Sequence, residues 1–380
     1  MKRGLLSLLL SAWCVCAQAD AALQESLSAV IANARDRGKI PAIAAMVQIN
    51  GKVEAQAVVG VRALRHRERA TLQDRWHLGS DIKAMTATLI ARLAEKGTLK
   101  LDDTLAELLP AMAPAMDPAF RTVTMTQLLS HTAGVAPLVD PKELPPVLAV
   151  IAPYQEVKAQ RAAIASHFLS RPPTSKPGAF VYSNVGYVIA GAVAEARTGR
   201  SFEELIRAEV WAPLGISHAG FGAPGRSGKF DEPLGHEVGL FGLKAVDPGS
   251  RRSDNLPVFA PAGTAHMTLP DWMLFAQDQL DGAHGHGKLL ESATYRKLHV
   301  PVTPGYALGW RVAVAPDGTP AVLTHGGSNG MWKAAIHITP ANYRIVLVAM
   351  NAAGKPANDA ADTIITELTG VNARARPRGK

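Results

Sequence analysis

Residues 80–97 have the sequence SDIKAMTATLIARLAEKG, whose apolar spacing is that of a helix. Apolar side chains recur at intervals of three and four positions, at Ile82, Met85, Leu89 and Leu93. Such spacing places them on one helical face, and Gly97 is a typical residue for the end of the helix. We therefore predict a helix that starts at Ser80 and ends near Gly97.

Strand patterns lie on both sides of a helical middle region. Two apolar runs, 43–49 and 53–61, are separated by Asn50-Gly51, which is a strong signal for a β-hairpin. Proline breaks predict short helices and loops from Leu101 to about Leu256. Near the C-terminus we predict strands at 307–315, 334–338 and 345–350, and a final helix over 358–368.

This order of elements predicts an α/β protein with a largely antiparallel sheet flanked by helices, and with an inserted, mostly helical subdomain. The α/β subdomain would be discontinuous, formed by residues 20–79 and 258–370. The helical subdomain would cover residues 80–257. A chain of 380 residues exceeds the size at which one hydrophobic core usually stops growing, so two subdomains are expected.

Residues 1–19 have the pattern of an export signal. A positive head at residues 2–3 precedes an apolar run over 4–15, and Ala17-Gln18-Ala19 supplies the small-x-small cleavage pattern. We predict cleavage after Ala19 and a secreted or periplasmic protein without a transmembrane segment in its mature form. An uncleaved anchor is the alternative.

Cysteine and charge restrict the possible functions further. Cys14 and Cys16 both lie in the predicted signal, so the mature chain would contain no disulfide, thiol nucleophile or cysteine metal site. The formal net charge is +8. Four of the positive charges lie in residues 371–380, at Arg374, Arg376, Arg378 and Lys380. We predict a basic, flexible tail there, and we find no nucleic-acid-binding module.

Ser80-Asp81-Ile82-Lys83 is an S-x-x-K tetrad. Residues three apart share a helical face, so the Ser80 hydroxyl and the Lys83 amine can meet. A buried, neutral amine can take the proton of a serine hydroxyl and so activate it. The free N–H groups at the helix start favour a developing oxyanion. An N-capping serine followed by a solvated lysine would give the same pattern, so the tetrad alone is weak.

Tyr182-Ser183-Asn184 opens a second apolar helix and supplies further polar groups. A tyrosine oxygen near a lysine can exchange protons with a leaving group or with an attacking water. The Asn184 amide can hold both Lys83 and a substrate. Ser183 or Asn184 could instead be only a helix cap.

The third pattern is His325-Gly326-Gly327-Ser328, which precedes a predicted strand over 331–338. Glycines such as Gly327 let a substrate lie against a strand edge. The backbone N–H of Ser328 could join that of Ser80 as the second oxyanion donor. A flexible turn with a surface histidine is the alternative.

These three motifs, in this order, resemble the serine β-lactamase and penicillin-binding protein superfamily. The Y-x-N form of the second motif is similar to the class C branch, which includes D-alanyl-D-alanine carboxypeptidases, D-aminopeptidases and family VIII-type esterases. Further similar segments are Leu128–Gly134 (LLSHTAG), Pro213–Ile216 (PLGI), Pro261–Gly263 (PAG) and Tyr306–Trp310 (YALGW). The resemblance extends from about Val47 to Met350 and implies a β-lactamase/transpeptidase-like fold.

The resemblance implies a role for each residue of the site. Ser80 matches the acylated serine, Lys83 its general-base partner and Tyr182 the catalytic tyrosine, and Asn184 matches the polar residue of the second motif. His325 stands where β-lactamases have the lysine of K-T-G. The family uses no metal and no organic cofactor.

The departure from K-T-G bears on the substrate. The lysine and threonine, which help to hold a substrate carboxylate, are replaced by His325 and Gly326, and a histidine is only partly charged near neutral pH. We therefore predict an ester or amide substrate, either a small molecule or a peptide, and weak or absent β-lactamase activity. A penicillin-binding or sensor protein that is acylated without turnover is the alternative. The oligomeric state is not indicated.

Two other enzyme classes are disfavoured. Residues 326–330 match the G-x-S-x-G nucleophile elbow, but they lead into a strand, and no acid followed by a histidine comes after Ser328. A metal site is also disfavoured, because His236-Glu237 lacks a second histidine at the required spacing and His284 and His286 lie in a glycine-rich turn.

Overall fold

The computed structural model describes the backbone of residues 4–139, 141–240 and 242–370, and the side chains of residues 21–139, 142–240 and 242–370. Its α-helices are α1 (Gly4–Gly38), α2 (Ile82–Glu95), α3 (Leu105–Leu108), α4 (Pro118–Arg121), α5 (Met125–Leu129), α6 (Leu144–Ile151), α7 (Val157–Leu169), α8 (Asn184–Thr198), α9 (Phe202–Ile206), α10 (Ala212–Leu214), α11 (Ala260–Gly263), α12 (Leu269–Ala283), α13 (Ser292–His299) and α14 (Lys355–Thr369). A π-helical turn, Arg207–Trp211, joins α9 to α10.

The strands are β1 (Ala42–Ile49), β2 (Lys52–Gly60), β3 (Arg75–His77), β4 (Ala219–Phe221), β5 (His236–Gly239), β6 (Gly242–Ala245), β7 (Ala265–Thr268), β8 (Arg311–Val314), β9 (Pro320–Ser328), β10 (Lys333–Thr339) and β11 (Arg344–Met350). The main sheet has the order β2-β1-β11-β10-β9-β8, and every neighbouring pair in it is antiparallel. Strands from both ends of the chain therefore meet in one sheet.

The predicted hairpin at Asn50-Gly51 joins β1 to β2. Both residues have positive φ angles, 51° and 77°. This conformation suits the tight turn of a two-residue hairpin, and Asn-Gly adopts it at little cost. The turn thus sets the register of the first two strands.

The two faces of the sheet pack against different layers of helices. On one face, Met46, Ile336 and Leu347 belong to the same apolar cluster as α2. On the other face, Val47 and Val346 pack with α1 and α14. Helix α2 is buried on almost all sides, as expected for an apolar helix inside a protein. The predicted α/β fold with a largely antiparallel sheet and flanking helices is confirmed.

The strands around the third motif differ from the prediction. His325 to Ser328 belong to β9, which the sequence analysis missed because a proline at its start and adjacent glycines weaken the strand signal. β9 lies between β8 and β10, so tertiary pairing overrides that weak local preference. The predicted strand 307–315 was too long: β8 covers only Arg311–Val314.

The conformation of Gly309 accounts for the start of β8 at Arg311 and not at residue 307. Gly309 has a φ of 80°, and a Cβ there would lie 2.7 Å from the carbonyl oxygen of Lys83. The segment before β8 therefore packs against the start of α2 instead of pairing as a strand.

The predictions for the chain ends and for the domain boundaries stay predictions. Residues 1–3 and the tail 371–380 lie outside the described residues, and α1 continues past Ala19. Within the described parts of the chain, no helix is both long and apolar enough to span a membrane.

Candidate active site

Ser80 lies on a short 3₁₀ turn, Gly79–Asp81, that connects β3 to α2. Gly79 has a φ of 52°, and a Cβ at this position would lie 2.3 Å from the backbone nitrogen of Ser328. The Gly79 N–H donates to Nδ1 of His77 at 3.1 Å, which holds the start of the turn. The turn is therefore fixed by contacts on both sides, and the half-buried Ser80 side chain lies directly before the helix.

Lys83 is completely buried and has three polar contacts. Its Nζ lies 2.9 Å from Oγ of Ser80, 2.8 Å from Oδ1 of Asn184 and 2.7 Å from the carbonyl oxygen of Ala262. Burial lowers the pKa of the Lys83 amine well below its ordinary value, and the Asp81 carboxylate partly opposes this change. The amine can therefore be neutral at a pH where an exposed lysine is charged.

Asn184 is the first residue of α8, whose N-cap is Ser183. The Asn184 amide donates from Nδ2 to the carbonyl oxygen of Leu138 at 3.0 Å, which turns Oδ1 toward Lys83. Ser183 is a helix cap, since its Oγ accepts from the Gly186 N–H at 3.0 Å. Ser183 is therefore the helix cap, whereas Asn184 contacts Lys83.

Tyr182 extends over the Lys83 amine. Nζ of Lys83 lies 4.9 Å from the centre of the Tyr182 ring. Burial raises the pKa of Tyr182 to about 12, and a hydrogen bond with the Ser80 side chain partly offsets this rise. The tyrosine is thus a neutral phenol near neutral pH, in contact with both the hydroxyl and the amine.

The end of β9 forms an open edge beside Ser80. β8 pairs with β9 only as far as Thr324, whereas β10 pairs with it through Ser328. Among the described residues, positions 325–328 therefore have a strand partner on one side only. A substrate backbone could use the unpaired side.

Gly327 brings this edge against the Ser80 turn. A Cβ at Gly327 would lie 1.8 Å from the carbonyl oxygen of Leu78 and 2.8 Å from the backbone nitrogen of Ser80. Only glycine permits so close an approach. The backbones that carry the Ser80 and Ser328 N–H groups are therefore in direct contact, as the predicted oxyanion site requires.

His325 is buried, and its surroundings disfavour the cationic form. Burial lowers its pKa well below the ordinary value, and the charges of Lys83 and Arg311 lower it further. The charge of His325 near neutral pH is therefore expected to be smaller than that of a histidine in water. Its Nδ1 faces Oδ1 of Asp81 at 3.8 Å.

Three residues of this region were not assigned a role in the sequence analysis: Asp81, His131 and Tyr306. Burial raises the pKa of Asp81 to about 7, against the lowering effect of Lys333 and Lys83. The sequence gives His131 and Tyr306 no separate role. Their sole sequence signal was membership of the LLSHTAG and YALGW segments, which carry no chemical pattern of their own.

The structure also bears on the nucleophile elbow and on the metal site. Residues 326–328 are the end of β9 and residues 329–330 lie in the turn to β10, whereas a nucleophile elbow would join a strand to a helix. In the part of the chain that the structure describes, no three His, Cys, Asp or Glu side chains are grouped so that they could hold a metal ion.

Comparison with known proteins identifies the family. The sequence model of the family described as Beta-lactamase matches residues 27–370. The chain belongs to the Beta-lactamase family. This family match confirms the predicted resemblance and supports the prediction of a serine hydrolase.

The names of individual similar proteins refer to several different activities. "Penicillin-binding protein 4" of Amycolatopsis lactamdurans is 29% identical over 357 residues, covering 90% of this chain and 88% of the relative. The solved structure of "EstCE1, a hydrolase with promiscuous acyltransferase activity" has a TM-score of 0.76 at 19% identity, covering 92% of this chain and 99% of the other. A D-stereospecific amidohydrolase from a Streptomyces species has a TM-score of 0.67 at 23% identity, with coverages of 92% and 99%. At these identities the two structures establish the fold.

Proposed function

We propose that this protein hydrolyses an ester or amide through an acyl-enzyme on Ser80, as a carboxylesterase or a D-amino-acid peptidase does. The observation that carries the proposal is the placement of the Lys83 amine 2.9 Å from Oγ of Ser80. The alternatives are a penicillin-binding or sensor protein that is acylated without turnover, and a weak β-lactamase.

The contacts of Lys83 determine where its lone pair points. A neutral amine has two N–H groups, and two of the three polar neighbours of Lys83 are carbonyl oxygens, on Asn184 and Ala262, which can only accept. When both hydrogens are donated to them, the lone pair is left for the hydroxyl of Ser80. Lys83 can therefore act as the general base for this serine.

Acylation would follow from this arrangement. Oγ of Ser80 attacks the carbonyl carbon as its proton passes to Lys83, and the oxyanion is stabilised by the N–H groups of Ser80 and Ser328. Tyr182, whose hydroxyl is hydrogen-bonded to Ser80, donates its proton to the leaving alcohol or amine and regains one from the protonated Lys83. Water then attacks the acyl-enzyme and loses a proton to Lys83 by way of Tyr182. Lys83 returns this proton to Oγ of Ser80 as the acid product leaves.

The substrate preference rests on His325 and Gly326. Neither supplies a cation or a hydroxyl at the position where K-T-G enzymes hold a substrate carboxylate, since the pKa of His325 is well below its ordinary value. Esters and D-amino-acid amides without a carboxylate at this position fit better than β-lactams. We further propose export by residues 1–19, on the sequence pattern alone.

Hydrolysis of p-nitrophenyl butyrate by the chain from Asp20 onward, compared with Ser80→Ala, tests the nucleophile. We expect steady-state turnover that falls by several orders of magnitude in the variant. Equal rates in both proteins would contradict the proposal. Mass spectrometry of the intact protein separates the alternatives, because a sensor would remain acylated after one equivalent while an enzyme returns to its starting mass.

A further inference from the structure

A line of buried polar side chains connects the second motif to the tetrad. It consists of His131, Tyr306, His325 and Asp81, each at most 3% exposed. Nε2 of His131 lies 3.1 Å from the Tyr306 hydroxyl, and that hydroxyl lies 3.3 Å from Nε2 of His325. The acylation steps described above use none of these four side chains.

A backbone hydrogen bond at His131 determines which atoms donate and which accept along this row of side chains. The N–H of Ser183 donates to Nδ1 of His131 at 3.0 Å, so this nitrogen carries no proton in the neutral ring. The proton of His131 is then on Nε2 and is donated to the oxygen of Tyr306. The proton of Tyr306 then has two acceptors within reach, the Tyr187 hydroxyl and Nε2 of His325 at 3.3 Å.

Donation from Tyr306 to Nε2 would determine where the proton of His325 lies. With Nε2 as the acceptor, the proton of a neutral His325 is on Nδ1, on the side that faces Oδ1 of Asp81 at 3.8 Å. This separation is too long for a hydrogen bond but allows electrostatic attraction. A cationic His325 would instead direct an N–H toward a hydroxyl that already accepts from His131.

The same residues pack around the catalytic tyrosine. The ring of His131 lies 4.2 Å from that of Tyr182, and the ring of Tyr306 lies 6.4 Å from it in an edge-on arrangement. Displacement of Tyr306 would therefore change the support of Tyr182 as well as the bond to His325.

We propose that Tyr306 is a positioning residue, whose hydroxyl, oriented by His131, holds His325 neutral with its proton on Nδ1 beside Asp81. The consequence for catalysis rests on the proposed function: His325, at the position that carries a lysine ammonium in K-T-G enzymes, then contributes no charge of its own to the binding of a substrate carboxylate.

Other charges around His325 act in the same direction. The groups that influence its pKa from the neighbouring elements are Lys83 on α2, Arg311 on β8 and Lys333 on β10. Arg311 and Lys333 disfavour a charged imidazole, Lys83 does so only in its protonated form, and Asp81 is the acid that faces the ring. Loss of the Tyr306 hydroxyl removes a bond made to the neutral ring, so the pKa of His325 would rise.

The first test observes the tautomers directly and does not need activity. Long-range proton–nitrogen NMR spectra of ¹⁵N-histidine-labelled Ser80→Ala protein report which nitrogen of each ring carries the proton, with His131→Gln and His325→Gln variants for assignment. We expect the Nε2–H form for His131 and the Nδ1–H form for His325, and a loss of the pure Nδ1–H form in Tyr306→Phe. An Nε2–H form or a cationic ring for His325 at neutral pH would overturn the proposal.

The second test uses kinetics with a matched control. Tyr306→Phe should lower kcat for p-nitrophenyl butyrate roughly tenfold, as expected for one buried hydrogen bond, with little change in KM. In the same variant, ionisation of His325 should appear as an additional pKa on the acid side of the plot of kcat against pH. Tyr295→Phe removes another fully buried hydroxyl, which donates to Oδ2 of Asp278 at 2.7 Å, and should leave the pH profile unchanged.

A double variant distinguishes positioning from general destabilisation. If Tyr306 acts through His325, adding Tyr306→Phe to His325→Gln should cause little further loss of kcat. Independent, multiplicative losses would contradict the proposal. Failure of the proposed function would be seen differently, as activity that survives Ser80→Ala, and it would leave the NMR result standing.

Discussion

The amine of Lys83 lies 2.8 Å from Oδ1 of Asn184, although 101 positions separate the two residues. Together with the carbonyl oxygen of Ala262, this contact uses the hydrogens of a neutral lysine and leaves its lone pair for Ser80. The contact thus makes Asn184 of the second motif part of the arrangement that lets Lys83 of the first motif act as a base.

Replacement of Lys83 by arginine should remove the general base, because arginine places a permanent cation at this position. A guanidinium remains protonated in proteins and cannot accept the serine proton. We expect kcat/KM for p-nitrophenyl butyrate to fall by about a thousandfold or more. Lys96→Arg near the end of the same helix should retain activity, since its exposed side chain pairs with Glu209. Substantial activity in Lys83→Arg would show that another group takes the proton.

The activity of the wild-type protein should depend on pH through Lys83. Burial lowers the pKa of this amine, so the neutral, active form is reached below the ordinary lysine range. We expect kcat/KM to rise with pH through the lowered pKa and to be constant above it, well before pH 10. A pH–rate profile that rises only near the pKa of an exposed lysine would contradict a buried neutral base.

Gly327→Ala should damage the site, whereas Gly326→Ala should be tolerated. A Cβ at Gly327 would lie 1.8 Å from the Leu78 carbonyl oxygen, so the strand edge and the Ser80 turn must separate. At Gly326 the nearest atom is the flexible end of Lys333, at 3.0 Å. We expect roughly a hundredfold loss of kcat for Gly327→Ala, as for loss of one oxyanion donor. Circular dichroism would check that both variants fold, and equal rates would argue against contact between these backbones.

His236 should make folding stability sensitive to acid. Burial lowers its pKa to about 4; its Nδ1 lies 2.7 Å from the carbonyl oxygen of Asn351, and its Nε2 accepts from the Leu64 N–H at 3.1 Å. Because the folded pKa lies below that of the unfolded chain, the unfolded state binds more protons between about pH 4 and 6.5. Stability should therefore fall as pH decreases through this window.

The contribution of His236 can be measured by urea unfolding at pH 7 and pH 4.5. His236→Gln should reduce the pH-dependent part of the unfolding free energy by about 1–2 kcal/mol, since one pKa unit corresponds to about 1.4 kcal/mol. His286→Gln, at an exposed position, should leave it unchanged. An identical pH dependence in all three proteins would show that His236 is not responsible.

Nitrocefin should be a poor substrate compared with p-nitrophenyl butyrate. His325 and Gly326 do not themselves supply the ammonium and hydroxyl of K-T-G, and hydrogen bonds to a charged group are worth about 1.5–3 kcal/mol each. We therefore expect kcat/KM for nitrocefin to be at least about tenfold lower than for the ester. A rate on nitrocefin that equals or exceeds the ester rate would favour the β-lactamase alternative.

The sequence by itself determined the features that depend on near neighbours. The Asn50-Gly51 hairpin, the helix after Ser80 and the i, i+3 contact of Ser80 with Lys83 follow from short-range geometry, so a local pattern suffices to predict them. The strands at both ends also indicated the antiparallel α/β architecture, although β9 was hidden by its proline and glycines.

Only the tertiary structure decided the chemical state of these residues. Burial makes a neutral Lys83 possible, and its hydrogens are donated to Asn184 and to Ala262, which come from distant parts of the chain. The same is true of His325, whose charge depends on its burial and on Tyr306. A protonation state is set by solvation and by the groups in contact with it, and both are established only when the sheet and the helices pack together.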